Sequence, residues 1–293
     1  MRALLFVYAL VSTMALASPR PARDTADVGN AGSYSVGIFN PLRVAVNDRL
    51  ELEAHPLVFF VAPHLDVRFA VIKSATDPAD PGAPPSGVRL TYEMGLAMPT
   101  WGLRLMKGYL FPSWALSAND IGYMLIPRFA LVLSGDVFTH DVYTLRADAA
   151  VRWPLGPNSA APLDSPIAPL DLLLAAPLTG FCGRLGGAYD HAFGDVLRLR
   201  GEVNLYLTGS PVLLNVSGVS VGRVGATSPI VFTAHLGLDI AVFKQSRITI
   251  GALYANFDQG RTEVVTGSDG FSRRERVRSH NILPTLDFIW AGF

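Results

Sequence analysis

The chain has 293 residues with 24 Lys and Arg against 24 Asp and Glu, a balance that excludes a polybasic nucleic-acid binder or an acidic solvating tail as a whole-chain description. Hydrophobic residues make up 50% and charged residues 16%, below the roughly 25% of an average soluble domain. Past the N-terminus no apolar run reaches the roughly 20 residues of a membrane-crossing helix, so apolar surface meeting lipid must come in alternation, as strands supply it.

Residues 1–17 have the make-up of a secretory signal. Arg2 gives the positive start, Ala3 to Val11 the apolar centre, and Ala15-Leu16-Ala17 a small-x-small site cleaved after Ala17. No Cys follows it, which speaks against a lipoprotein anchor. Cys182 is the single cysteine, cannot form an internal disulfide, and reads as a small apolar side chain packed in a strand. Residues 18–33 are rich in Ser, Pro, Arg, Asp and Gly and are expected to form a flexible lead-in to one domain over 34–293.

From Tyr34 the pattern turns to period two. Val36, Ile38, Leu42, Val44 and Val46 share one face, and Ser35, Gly37, Arg43 and Ala45 the other. Asn47-Asp48 makes a tight turn into Arg49–His55, so the two runs are predicted to pair as a hairpin. Asn40-Pro-Leu-Arg43 followed by Asn47-Asp-Arg-Leu-Glu-Leu52 resembles hairpins with short periplasmic turns in uncharacterised Gram-negative outer-membrane β-barrels of transporter or porin type. The resemblance implies a barrel and names no activity.

Further alternating runs cover 65–71, 90–96, 143–153, 197–207, 230–242 and 247–257, with less regular ones near 122–134, 172–186 and 211–221. The count predicts an all-β, antiparallel transmembrane barrel of about 12 strands, with 10 or 14 as alternatives. Asn47-Asp48, Thr208-Gly209-Ser210 and Lys244-Gln245-Ser246 read as short links. Lys73 to Gly87, Leu155 to Asp171 and Gly260 to Arg276 read as long loops, the asymmetry expected of such barrels. Residues 100–121 fit a strand pair, a short amphipathic helix or a loop folded into the lumen. Pro41, Pro56, Pro127 and Pro284 fall in predicted strands and are expected at strand ends or bulges.

The closing stretch Ser279–Phe293 is an apolar, aromatic strand, whereas soluble chains tend to end frayed and polar. A barrel in lipid needs its last strand to pair with its first, leaving no backbone edge in hydrocarbon. Phe293, Ala291 and Ile289 occupy the alternate positions expected of a signal read by the barrel-assembly machinery. Phe288 and Trp290 lie on the opposite face. Trp153, Tyr143, Tyr254, Phe257, Trp290 and Phe293 fall near strand ends, where amphipathic rings settle at the lipid–water boundary.

The polar faces carry both signs: Arg43, Arg49, Glu51, Glu53, Asp66, Arg68, Arg89, Glu93, Arg146, Asp148, Arg152, Arg198, Arg200, Glu202 and Asp239. Turned inward, they form either a structural ion-pair network or a charged constriction that selects solutes. No His-Glu-x-x-His, Cys-x-x-Cys or phosphate-cradling Gly-Lys-Ser/Thr loop is present, so neither cofactor nor metal is expected. Gly183 to Gly187 suits a bulge or strand curvature better than a nucleotide loop. The histidines, His140, His191, His235 and His280 among them, read as hydrogen-bonded lumen or interface residues. The expectation is a non-enzymatic channel or structural barrel in outer-membrane lipid, with a small solute as its only candidate ligand. The rivals are an outer-membrane hydrolase of lipid or lipopolysaccharide and a soluble periplasmic β-sandwich.

Overall fold

The structure is a computed structural model and describes residues 24–73, 87–106, 121–138, 141–156, 176, 180–194, 196–209, 213–216, 219–223, 230–243 and 246–292. The predicted signal, residues 1–17, lies outside them. In chain order the elements are β1 (Tyr34–Gly37), β2 (Leu42–Asn47), β3 (Leu50–Ala54), α1 (Pro56–Phe59), β4 (His64–Ile72), β5 (Arg89–Ala97), α2 (Thr100–Met106), β6 (Met124–Phe138), β7 (Asp141–Val151), β8 (Trp153–Pro154), β9 (Phe181–Phe193), β10 (Leu197–Thr208), β11 (Leu213–Val216), β12 (Val219–Arg223), β13 (Ile230–Phe243), β14 (Ser246–Thr266) and β15 (Ser272–Gly292).

Twelve of these strands close into one antiparallel ring, β1-β2-β3-β4-β5-β6-β7-β9-β10-β13-β14-β15, sealed by four register pairs from Tyr34↔Gly292 to Gly37↔Ile289. Closure overturns the β-sandwich alternative and the counts of 10 and 14. The strand β8 adds two pairs beside β6, and β11 with β12 forms a separate hairpin.

Alternation explains the ring. On β4, His64, Asp66, Arg68 and Ala70 are buried while Leu65, Phe69 and Val71 are exposed. On β10, Arg200, Asn204, Tyr206 and Thr208 are buried and Leu199, Val203, Leu205 and Leu207 exposed. The exposed face is thus apolar and the interior polar, the reverse of a soluble barrel and the arrangement a lipid solvent selects. No helix among the described residues is long and apolar enough to cross a membrane.

Several boundaries differ from the sequence reading. The run 34–46 is two strands, because Ile38–Pro41 turns between β1 and β2. The run 211–221 lies outside the wall, and Thr208–Ser210 opens a long link instead of a tight turn. Gly260–Arg276 is not a loop. Its Arg-Thr-Glu-Val-Val-Thr segment continues the β14–β15 ladder past a bulge to a turn at 267–271. Residues 100–106 form helix α2. On β15 the burial runs opposite to the assembly-signal expectation. Ile289 is buried and Trp290 exposed, and Phe293 lies outside the described residues.

The prolines have a common account. Pro41 lies between strands and Pro56 opens α1. Pro127 pairs with Leu96 of β5, one residue before β7 begins to pair with β6. Pro284 pairs with Ala252 where β15 has no partner on its other side. Both sit where a residue without an N–H is tolerated, at an edge.

The two rims are unequal. The links 48–49, 139–140, 194–196 and 244–245 share the rim that holds Tyr34 and Gly292. The links 55–63, 98–123, 152–180, 209–229 and the protruding β14–β15 hairpin share the other. Two links depart from this division: 73–88 is long on the short-link rim, and 38–41 is short on the long-link rim.

Candidate functional site

Register makes the lumen network. Glu51, Arg68 and Glu93 are direct cross-strand neighbours on β3, β4 and β5, and Asp148 faces Arg184 across β7 and β9. Opposite charges set side by side on one face attract across the strands. Arg68 is almost wholly buried. Its Nε donates to Glu93 at 2.8 Å, its Nη1 to Glu51 at 2.5 Å and its Nη2 to the Thr25 carbonyl at 2.7 Å. Arg146 donates to Glu93 at 2.5 Å and to Asp148 at 2.9 Å, and Arg184 reaches Asp148 at 2.8 Å. Arg128 bridges Asp66 at 3.1 Å and Asp148 at 3.2 Å. This bridge depends on Gly95, since a Cβ there would lie 1.4 Å from the Asp66 carboxylate.

Around the ring, Arg43 pairs with Glu53, Arg200 with Asp190 and Glu202, Arg89 with Asp136, and Arg247 with Asp239. Arg198 shares the inward parity of Arg200 on β10. One residue expected in the lumen stands elsewhere: Arg49 is exposed in the turn between β2 and β3. Arg152 lies between β7 and β8 in the parity of the buried Asp148 and Ala150, and its N–H donates to the Gly180 carbonyl. Arg128 and Arg184 were missed because the runs 122–134 and 172–186 alternate poorly, and Asp136 and Asp190 because they fall past the ends of those runs. Asp24 and Asp27 were missed because the lead-in carried no pattern.

Residues 24–31 thread into the lumen. Thr25 and Ala26 are buried. The Ala26 N–H donates to Ser134 at 2.8 Å, the Ala26 carbonyl accepts from Thr91, and the Gly29 N–H donates to Glu51 at 3.1 Å. Asp24 meets Arg43 at 3.0 Å and Asp27 meets Arg89 at 3.4 Å. Between this segment and the long-link rim lies a cavity of about 190 Å³, lined among others by Asp24, Asn40, Arg128, Arg146, Arg184 and Glu202.

One sector of the wall is low. The strand β1 spans four residues, β2 six and β3 five, whereas β14 and β15 span 21 each. At roughly 3.4 Å per residue β2 is ~20 Å long, short of an apolar belt roughly 25 Å tall even before its tilt. Above Ile289, β15 has no neighbour on this side. The gap is stopped by the β1–β2 turn. Asp287 accepts from the N–H groups of Ile38 and Phe39 at 2.8 and 3.3 Å and from the Asn40 amide. The Phe39 carbonyl accepts from His55 Nε2 at 2.8 Å. Ile38, Phe39, Leu57, Phe59 and Phe60 are exposed around it.

The other described histidines are held as follows. His64 bonds the His55 N–H and the Ala62 carbonyl, His191 meets Asp141, His235 meets Thr285, and His280 meets Tyr254. None of these contacts brings a serine to a histidine. Among the described residues no group of three His, Cys, Asp or Glu is placed to hold a metal ion.

No protein-family model matches the chain, and no curated protein matches it. Among solved structures it is similar to the crystal structure of a Pseudomonas aeruginosa FadL homologue, at 12% identity with a TM-score of 0.32. The alignment covers 86% of this chain and 65% of that one, so this chain spans less than two thirds of its length. The twelve-stranded closure stands on the strand pairing itself.

Proposed function

We propose that the chain is a Gram-negative outer-membrane barrel, exported with a signal cleaved after Ala17, that acts as a channel shut along its axis at rest and not as an enzyme. It sits with its short-link rim in the periplasm and is inserted by the assembly machinery through β15. The apolar exterior, the polar interior and the division of long and short links support this placement.

The closed state rests on one observation. Arg68 binds Glu51, Glu93 and the Thr25 carbonyl together, joining the β3–β5 wall to the lead-in inside the lumen. A guanidinium whose three nitrogens are each bonded to wall or lead-in leaves little room for ion passage at that height. Planar-bilayer recording tests the reading. The intact barrel is expected to be silent, and deletion of residues 24–30 to produce stepwise openings. Large openings in the intact barrel would refute closure at rest, and silence in both would leave a filled structural barrel.

A further inference from the structure

The geometry points to a lateral port at the low wall, through which the cavity takes the head group of a phosphoethanolamine-headed phospholipid while its acyl chain stays in the bilayer. This rests on the membrane placement proposed above and not on axial closure.

Depth comes first. With the short-link rim at one membrane face, the tops of β1, β2 and β3 end well inside a belt roughly 25 Å tall. The exposed Ile38, Phe39, Leu57, Phe59 and Phe60 then meet acyl chains instead of water. Phe39, Asn40 and Pro41 also line the cavity. A single four-residue turn therefore separates the polar chamber from hydrocarbon. That turn is fastened by side chains, Asp287 on one side and His55 on the other, and not by a strand ladder. Side-chain clasps open without unzipping a sheet.

Charge gives the head group. On the β6–β7–β9 wall the side chains of Arg128, Arg146 and Arg184 keep 10, 13 and 18% of their surface exposed, while their partners Asp148 and Glu93 keep 0 and 3%. The cations project into the chamber and the carboxylates stand behind them. Buried Arg128 Nε has no hydrogen-bond partner among the described residues. On β10 and the lead-in the order reverses. Glu202 keeps 24% and Asp24 29%, and Arg200 behind Glu202 keeps 3%. One wall offers donors to a phosphate and the other acceptors to an ammonium, which suits a zwitterion better than a bare anion. The cavity, about 190 Å³, has room for a head group between these two walls.

The test uses the full mature chain refolded in nonionic detergent, its fold checked by heat-modifiable gel mobility. It is titrated with lysophosphatidylethanolamine, lysophosphatidylglycerol and free fatty acid of one acyl length. The ethanolamine lipid is expected to bind at least roughly ten-fold tighter than the other two. Glu202→Gln should abolish that preference and leave lysophosphatidylglycerol binding unchanged, and Arg184→Gln should weaken both phospholipids. A barrel with Asn40→Cys and Asp287→Cys in a Cys182→Ala background should lose binding when oxidised and regain it on reduction. Equal affinity for all three lipids, a preference for the fatty acid, or unchanged binding by the oxidised barrel would overturn the port. Current through the intact barrel would refute axial closure and leave these outcomes standing.

Discussion

Gly95 matters for what it lacks. It faces the lumen on β5, beside Asp66 of β4, and the Asp66 carboxylate fills the space where a side chain would begin. From there it reaches Arg128, which in turn holds Asp148. A methyl group at Gly95 displaces the carboxylate and leaves Arg128, itself buried, short of one partner. Breaking a buried pair by taking away one member costs about 3–5 kcal/mol, because the remaining charge stays desolvated. Gly95→Ala is therefore expected to destabilise the barrel by about 3 kcal/mol in urea unfolding from lipid vesicles. Asp66→Asn should cost less, since an amide still accepts a hydrogen bond from Arg128. Equal stability of wild type and Gly95→Ala would mean that the pair contributes nothing there. Tyr143 and Tyr34 show the outward counterpart, covering Gly135 and Gly292 on the lipid face near the short-link rim.

Among the elements, the β14–β15 hairpin is the least coupled to the ring. Pairing with β13 reaches only Asn256, and β1 covers only Ile289–Gly292, so beyond these points the two strands have only each other. Replacing residues 259–275 by a short turn should shift the unfolding free energy by less than about 0.5 kcal/mol, the range of surface changes away from packed features. A larger loss would show that the hairpin folds back on the rim. The bulge between Asp258 and Thr262 also explains why this segment read as a loop, since it breaks period two where the face no longer needs to be apolar. The alternation of Asp66, Arg68 and Glu93 against Leu65, Phe69 and Met94 was legible because lipid and lumen impose opposite demands on adjacent residues. The count of twelve was reached through compensating errors. The run 34–46 hid two strands, since its face pattern continues through the turn at Ile38–Pro41, and 211–221 was counted although its strands lie outside the wall. The chamber was not legible at all. It depends on Asp24 in a patternless lead-in, and on strand heights that only the pairing register sets.

At the scale of the molecule, the unequal rims support one orientation for the membrane placement proposed above. Four of the five links on the rim of Tyr34 and Gly292 are two or three residues long, too short to reach beyond a membrane surface, and the fifth, 73–88, is longer. The opposite rim carries 55–63, 98–123, 152–180, 209–229 and a hairpin that rises past the end of every neighbouring strand. Chain termini and short turns face the periplasm in barrels of this class, and longer segments face outward. That orientation also puts the low wall of β1–β3 in the outer leaflet, since it is the long-link end of those strands that falls short. An epitope inserted in the turn 267–271 should then be labelled by antibody on intact cells. The same epitope between Asp48 and Arg49 should be labelled only after the outer membrane is permeabilised. The reverse pattern would invert the barrel and move the opening beside Phe39 to the inner leaflet, and labelling of both sites on intact cells would mean that the ring does not span the membrane.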